Sequence, residues 1–249
     1  MKAMILAAGL GTRLRPLTDD RPKALVEVGG RTLLEITLAR LRTFGIREAI
    51  VNVHHFADMV VDYVKANQNF GMRIEISREE VLLDTGGGLK RAAWFFLEDA
   101  TDRDQPFLLH NVDVLSTIDL AAMVRFHNEQ RALATLAVQE RKSSRYLLFD
   151  EQLQLCGRRF EREDRTDLVR SAQPLEALAF SGIHVISSQL LTLLTEDGAF
   201  SIIDSYLRLA ANGERFLAFR AEESYWRDLG TIDSMHQAEL DLRRGMLPS

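Results

Sequence analysis

One cysteine, Cys156, stands in 249 residues. No intrachain disulfide can form, so stability must come from an apolar core, and a lone buried thiol suits a reducing cytoplasm. A basic excess is also missing: 31 Lys and Arg against 36 Asp and Glu leave a net charge of −5, with a pI near 5.7. No global field therefore draws nucleic acid or an anionic membrane to the chain, and any phosphate must be held by local groups. No apolar run reaches the ~20 residues of a membrane span. The apolar start, Met4 to Ala8, is shorter than a signal-peptide core, and Arg13 and Arg15 follow at once. There is no internal repeat and no Pro-, Gly- or Ser-rich linker. Residues 1–249 are accordingly expected to form a single domain.

Hydrophobic residues make up 46% of the chain, enough for a substantial core. Met4 to Ala8 is too brief for a helix and reads as a buried first strand. Ala24 to Val28 reads as a short strand. Thr32 then caps a helix whose Leu34, Leu38, Leu41 and Phe44 share one face and which Gly45 stops. Ala49 to Val53 alternates poorly, as a strand buried on both faces does. A helix over Phe56 to Asn67, with Met59, Val60, Tyr63 and Val64 as its stripe, leads to a strand over Met72 to Ser77. This alternation predicts a parallel sheet with right-handed crossovers. Helices are further predicted over Asp119 to Glu129, Ser201 to Ala211 and Ile232 to Arg244, and strands over Leu133 to Gln139, Leu178 to Ile186 and Arg215 to Arg220. Arg158 to Arg170 mixes charges of both signs and reads as an exposed hairpin or loop.

Gly9-Leu10-Gly11-Thr12-Arg13 follows the first strand. Two glycines allow a backbone to approach a ligand closely, and successive N–H groups in such a turn form a concavity for anions. Arg13 adds a planar fork suited to phosphate, and Lys23, after the stiffening Pro22, adds a compact cation. As a loop cation Lys23 is expected to support no core. The pattern is neither a Walker loop, which needs a Gly-Lys-Ser/Thr ending, nor a dinucleotide fingerprint, since Leu14 stands at the third glycine position. In open sheets ligands collect at the carboxyl ends of strands. That rule gathers four features in one cleft: residues 9–23, His54-His55, Asp84-Thr85-Gly86-Gly87-Gly88, and His110-Asn111-Val112-Asp113. The adjacent histidines lack further zinc ligands at suitable spacing, with Cys156 a poor candidate.

Leu6-Ala7-Ala8-Gly9-Leu10-Gly11-Thr12-Arg13-Leu14-Arg15-Pro16-Leu17-Thr18, then Pro22-Lys23, resembles the signature of the sugar-1-phosphate nucleotidyltransferases. Trp226-Arg227-Asp228-Leu229-Gly230-Thr231 resembles a second family segment. The resemblance implies an α/β, Rossmann-like nucleotidyltransferase fold, a mostly parallel mixed sheet flanked by helices. Its nucleotide-binding half would cover about 1–115 and its sugar-binding half about 116–249. It implies an enzyme that joins an NTP to a sugar 1-phosphate, releasing pyrophosphate. Lys23 and Arg13 would act on the phosphates. Leu6, Ala7, Ala8, Gly9, Gly11, Thr12, Thr85, Gly86, Gly87 and Asn111 would bind the nucleotide, with the triple glycine kept bare for the base. Asp113 and Asp228 would hold Mg²⁺, although Val112 stands where the family usually has glycine. His54, Ser181 and Gly182 would approach the sugar.

The Glu-Lys-Pro segment with which many relatives bind sugar is missing. Together with Asp84-Thr85-Gly86-Gly87-Gly88 and Phe180-Ser181-Gly182-Ile183, this makes the chain similar to the N-acetylmuramate-1-phosphate uridylyltransferases. That likeness implies UTP as donor. GTP with mannose or heptose 1-phosphate is the alternative, because paired histidines at this strand end occur in such relatives too. Another small phosphate, such as a choline phosphate, is a further acceptor for the same chemistry. A non-catalytic nucleotide-sugar-binding regulator is the alternative from another class, but it would have no need of Lys23 and both aspartates. Neither nucleic acid nor membrane is an expected partner.

Overall fold

The computed structural model describes residues 1–98 and 105–246. Strand β1 (Lys2–Leu6) opens the chain. A long loop follows, with single 3-10 turns at Thr12–Leu14 and Lys23–Leu25, and ends in the short strands β2 (Glu27–Val28) and β3 (Arg31–Thr32). Helices and strands then alternate: α1 (Leu33–Thr43), β4 (Glu48–Val53), α2 (Ala57–Ala66), β5 (Arg73–Arg78) and α3 (Asp84–Leu97). Next come β6 (Pro106–Asn111), β7 (Val114–Ser116), α4 (Leu120–Gln130), β8 (Ala134–Gln139), β9 (Arg145–Phe149), β10 (Leu155–Phe160), β11 (Arg165–Leu168) and β12 (Glu176–Ser187). The chain closes with α5 (Leu190–Leu193), α6 (Ile202–Ala211), β13 (Phe216–Arg220), β14 (Trp226–Asp228) and α7 (Ile232–Arg243).

The main sheet runs β11-β10-β9-β12-β6-β1-β4-β5, with β8 paired to β12 and β13 to β8. β5, β4, β1 and β6 are parallel, as predicted from the alternation. β12 turns the sheet antiparallel, pairing with β6, β8 and β9. Period-two alternation divides the apolar residues between two cores. Ala3, Ile5, Ala49 and Val51 face α1, α2, α4 and α7, whereas Met4 and Ile50 face α3 and α6. Burial on both faces explains why these strands read as continuous apolar runs.

Local chemistry fixes the helix starts. Thr32 Oγ1 accepts from the Glu35 N–H, Asp119 Oδ1 accepts from Ala122, and Thr231 with Ser234 forms a reciprocal capping box. Arg158 to Arg170 forms most of the β10–β11 hairpin. Two local expectations fail. Lys23–Leu25 is a 3-10 turn, because the Leu25 N–H donates back to the Pro22 carbonyl, and only Glu27–Val28 is extended. Met59 lies off the buried stripe of α2 and is 40% exposed. The three-residue strands β7 and β14 carry no readable period. Among the described residues no helix is long and apolar enough to cross a membrane.

Candidate active site

A cleft of about 580 Å³ opens at the carboxyl ends of β1, β4 and β6. Leu6, Ala8, Gly9 and Lys23 line it from the first strand and its loop, and Asn111, Val112 and Asp113 from the end of β6. Leu82, Asp84, Thr85 and Ala199 form its far wall.

Gly11 sits at φ +63°, a left-handed conformation favoured by glycine. Its carbonyl accepts from Thr18 Oγ1 at 2.9 Å and from the Leu14 N–H at 2.8 Å, closing the loop on itself. A Cβ on Gly11 would lie 2.9 Å from Thr18 Cγ2 and 3.2 Å from Lys23 Cβ, so the turn packs directly on the lysine. Gly9 has open space around it, and Thr12 and Arg13 are exposed. Lys23 itself is buried, and its Nζ forms an ion pair with the Asp113 carboxylate. A buried, paired lysine is part of the fold, which corrects the expectation that it supports no core.

The two aspartates meet through a short ribbon. β7 pairs antiparallel with β14, setting Asp228 opposite Val114, and the Leu229 N–H donates to the Asp113 carbonyl at 2.8 Å. Asp228 Oδ1 accepts from the Gly230 N–H at 2.9 Å. A Cβ on Gly230 would lie 2.6 Å from that oxygen and 2.7 Å from Arg13 Nη2. Arg13 and Asp228 thus share the space that this glycine leaves. Val112 does not disturb the arrangement: it is buried in the core, and its N–H donates to the Leu6 carbonyl.

The glycines that open α3 have a cause other than a bare face for a base. A Cβ on Gly86 would stand 2.3 Å from the Phe200 ring, and one on Gly87 would stand 2.3 Å from the Gly198 carbonyl oxygen. The Gly86 and Gly87 N–H groups both donate to the Phe200 carbonyl, and Thr85 Oγ1 accepts from the Ile202 N–H. These groups satisfy the orphan donors of the helix start from within the chain. Thr85 alone of the three lines the cleft.

Two residues not foreseen hold the cleft floor. Asn52 Oδ1 accepts from the Ala7 N–H at 2.7 Å, while Asn52 Nδ2 donates to Glu79 Oε1 at 2.7 Å. Glu79 Oε2 accepts from the Leu83 N–H at 3.0 Å. This buried chain ties the end of β1 to the start of α3, passing under Gly88, where a Cβ would meet both side chains at 2.8 Å. A polar residue inside the apolar run Ala49 to Val53 was the available signal.

His54 lies beside this network rather than on the cleft lining. Its Nδ1 donates to the Glu79 carbonyl at 2.8 Å, and His55 packs on Phe56. β12 is interrupted at Ser181-Gly182, its register against β8 shifting between Phe180 and His184. Gly182, at φ +73°, presses on Asn111 and Val114. The Ser181 carbonyl accepts from Trp226 Nε1 at 2.8 Å, and its buried hydroxyl has no partner among the described residues.

Comparison with known proteins gives the family. A family model described as nucleotidyl transferase matches residues 2–245. An N-acetylmuramate alpha-1-phosphate uridylyltransferase from Caulobacter vibrioides is 36% identical, the match covering 96% of each chain. A mannose-1-phosphate guanylyltransferase from Mycobacterium tuberculosis is 29% identical over 99% of this chain and 66% of its own. The solved structure of HddC from Yersinia pseudotuberculosis, complexed with GMP-PN, shares the fold with a TM-score of 0.75 at 21% identity, covering 97% of this chain and 99% of that one. The chain belongs to the nucleotidyl transferase family and is a sugar-1-phosphate nucleotidyltransferase.

Proposed function

We propose that the chain transfers the uridylyl group of UTP to N-acetylmuramate 1-phosphate, with Mg²⁺ held by Asp113 and Asp228, and that it does so in the cytoplasm. The observation that carries the substrate reading is the 36% identity to an enzyme of that name over nearly the full length of both chains.

The donor set fits a hard cation. Two carboxylates from one ribbon offer only oxygen, and among the described residues no cluster of three or more His, Cys, Asp or Glu competes for a softer metal. Mg²⁺ commonly takes one or two carboxylates and completes its shell with phosphate and water. When bound, the ion would neutralise charge on the triphosphate. The chemistry asked of the protein is positioning and charge stabilisation. A phosphate oxygen of the sugar 1-phosphate attacks the α-phosphorus in line, the α–β bridging bond breaks, and pyrophosphate leaves. Lys23 is set to stabilise the negative charge that builds at the α-phosphate. Arg13, exposed at the cleft mouth beside Asp228, is set to hold the departing phosphates. The residues proposed to contact the nucleotide are Leu6, Ala7, Ala8, Gly9, Gly11, Thr12, Thr85 and Asn111, and those for the sugar are Ser181 and Gly182.

The test is a competition between UTP and GTP, each offered with N-acetylmuramate, mannose and heptose 1-phosphates, scored by kcat/KM. A preference of about tenfold corresponds to ~1.4 kcal/mol of differential transition-state binding. The proposal expects at least that preference for UTP with N-acetylmuramate 1-phosphate. The same margin for GTP with mannose or heptose 1-phosphate would refute it.

A further inference from the structure

Several arginines in the second half of the chain are matched by carboxylates. Arg158 pairs with Asp167 and Asp204, Arg208 with Glu196, Arg220 with Glu176, and Arg227 with Asp241. Arg141, two residues beyond β8, makes no such pair among the described residues. Its guanidinium carbon lies 3.5 Å from the Trp226 ring centroid. Its Nη2 donates to the Phe180 carbonyl at 2.7 Å, and its Nε is buried without a partner among the described residues. Burial pulls its pKa down, and the charge of Asp228 offsets part of that pull. A partly desolvated cation with an orphaned donor and no carboxylate in ion-pair contact among the described residues is costly unless something anionic reaches it.

The neighbours of Arg141 say what that is. Phe180 directly precedes the Ser181-Gly182 break, Trp226 lies two residues before Asp228, and the Trp226 Nε1 bond to Ser181 joins the two segments. Arg141 therefore bridges the residue before the Ser181-Gly182 break and the β14 strand that carries Asp228. A guanidinium 3.5 Å over an indole ring is held there by cation–π attraction, and its planar fork is the geometry suited to an oxyanion.

We propose that Arg141 binds an oxyanion of the sugar-phosphate acceptor, its stacked fork being the anion-recognising element of the sugar half of the site. The proposal rests on the sugar-1-phosphate reading of this cleft. The 1-phosphate and a carboxylate carried by the sugar share the required chemistry.

The test uses the full chain with UTP and Mg²⁺, and two acceptors that differ by one 3-O-lactyl group, which carries a carboxylate: N-acetylglucosamine 1-phosphate and N-acetylmuramate 1-phosphate. Arg141→Met keeps an apolar stem over Trp226 and removes the charge. Arg141→Lys keeps the charge and loses the fork. For Arg141→Met the KM for acceptor should rise at least tenfold while the KM for UTP stays within twofold. A rise shared by both acceptors assigns the oxyanion to the 1-phosphate, and a rise confined to N-acetylmuramate 1-phosphate assigns it to the carboxylate. Acceptor KM values within twofold of wild type, with a lowered melting temperature as the only change, would reduce Arg141 to a structural clamp and overturn the proposal. So would equal rises in both KM values. If Arg141→Met does not fold, a threefold or larger rise in acceptor KM for Arg141→Lys supports the proposal, and no rise overturns it. Wild-type inactivity with both acceptors would instead count against the substrate reading. Calorimetric binding of each sugar phosphate to wild type and variant then decides Arg141, at least tenfold weaker binding supporting it and equal binding overturning it.

Discussion

Lys23 shows how much a single side chain's surroundings matter. Pro22 to Val26 are all buried, and the ammonium meets Asp113 inside the cleft. Replacing it removes the charge proposed to stabilise the reacting phosphate and also strands a carboxylate. Lys23→Met should therefore lower turnover by ~10²–10³, the usual loss when one charge-stabilising donor is removed. It should also lower the melting temperature by a few degrees, because an unpaired group in a partly buried site is costly. Turnover within a few-fold of wild type would remove Lys23 from the reaction. The lysine's place on the cleft was legible from its position after Gly9-Leu10-Gly11-Thr12-Arg13. Its burial was not, because that depends on Asp113, ninety residues on.

At the scale of one element, α3 carries the clearest reinterpretation. Its glycines suggested a bare surface for a base, yet two of them are filled from behind by the Gly198–Phe200 segment. Gly87→Ala would drive a methyl group against a backbone carbonyl that cannot rotate away. The expected cost is about 1–3 kcal/mol, typical of overpacking, read as a lower midpoint in urea unfolding. An unchanged midpoint would show that the Gly198 turn yields easily. Sequence spacing located this helix start but could not name its partner, because residues 198–200 follow more than a hundred positions later. The same holds for Asn52 and Glu79, whose function appears only once β4 and β5 are paired. β7 and β14 were invisible for a different reason: three residues each are too few for any period. Their importance came through the Trp226-Arg227-Asp228 motif instead.

For the whole molecule, the parallel half was legible because strict alternation of helix and strand leaves few topologies. The antiparallel half was legible as strands, but their order required the structure. Three buried histidines add a property of the assembled fold. Burial holds His110 and His127 at a pKa of about 4 and His184 at about 3, all below the ordinary value of 6.5. His184 meets the Tyr206 hydroxyl and His127 meets Thr135 Oγ1. Because the folded pKa values are depressed, the stabilisation is fully present above pH 6.5 and is lost as pH falls toward 4. Between pH 8 and pH 5 each histidine should cost about 2 kcal/mol, so the melting temperature should fall steeply over that range. A flat profile from pH 8 to pH 5 would mean that these rings accept protons within the fold.

The central claim is that Asp113 and Asp228, joined by the β7–β14 ribbon, form one metal-dependent transfer site with Lys23. Its most direct measurement is the Mg²⁺ dependence of pyrophosphate release by wild type, Asp113→Asn and Asp228→Asn. The account predicts no wild-type activity in EDTA, full return with Mg²⁺, and a rise of at least about tenfold in the Mg²⁺ needed for half-maximal rate in each variant. Activation curves that superimpose on wild type for either aspartate would contradict it.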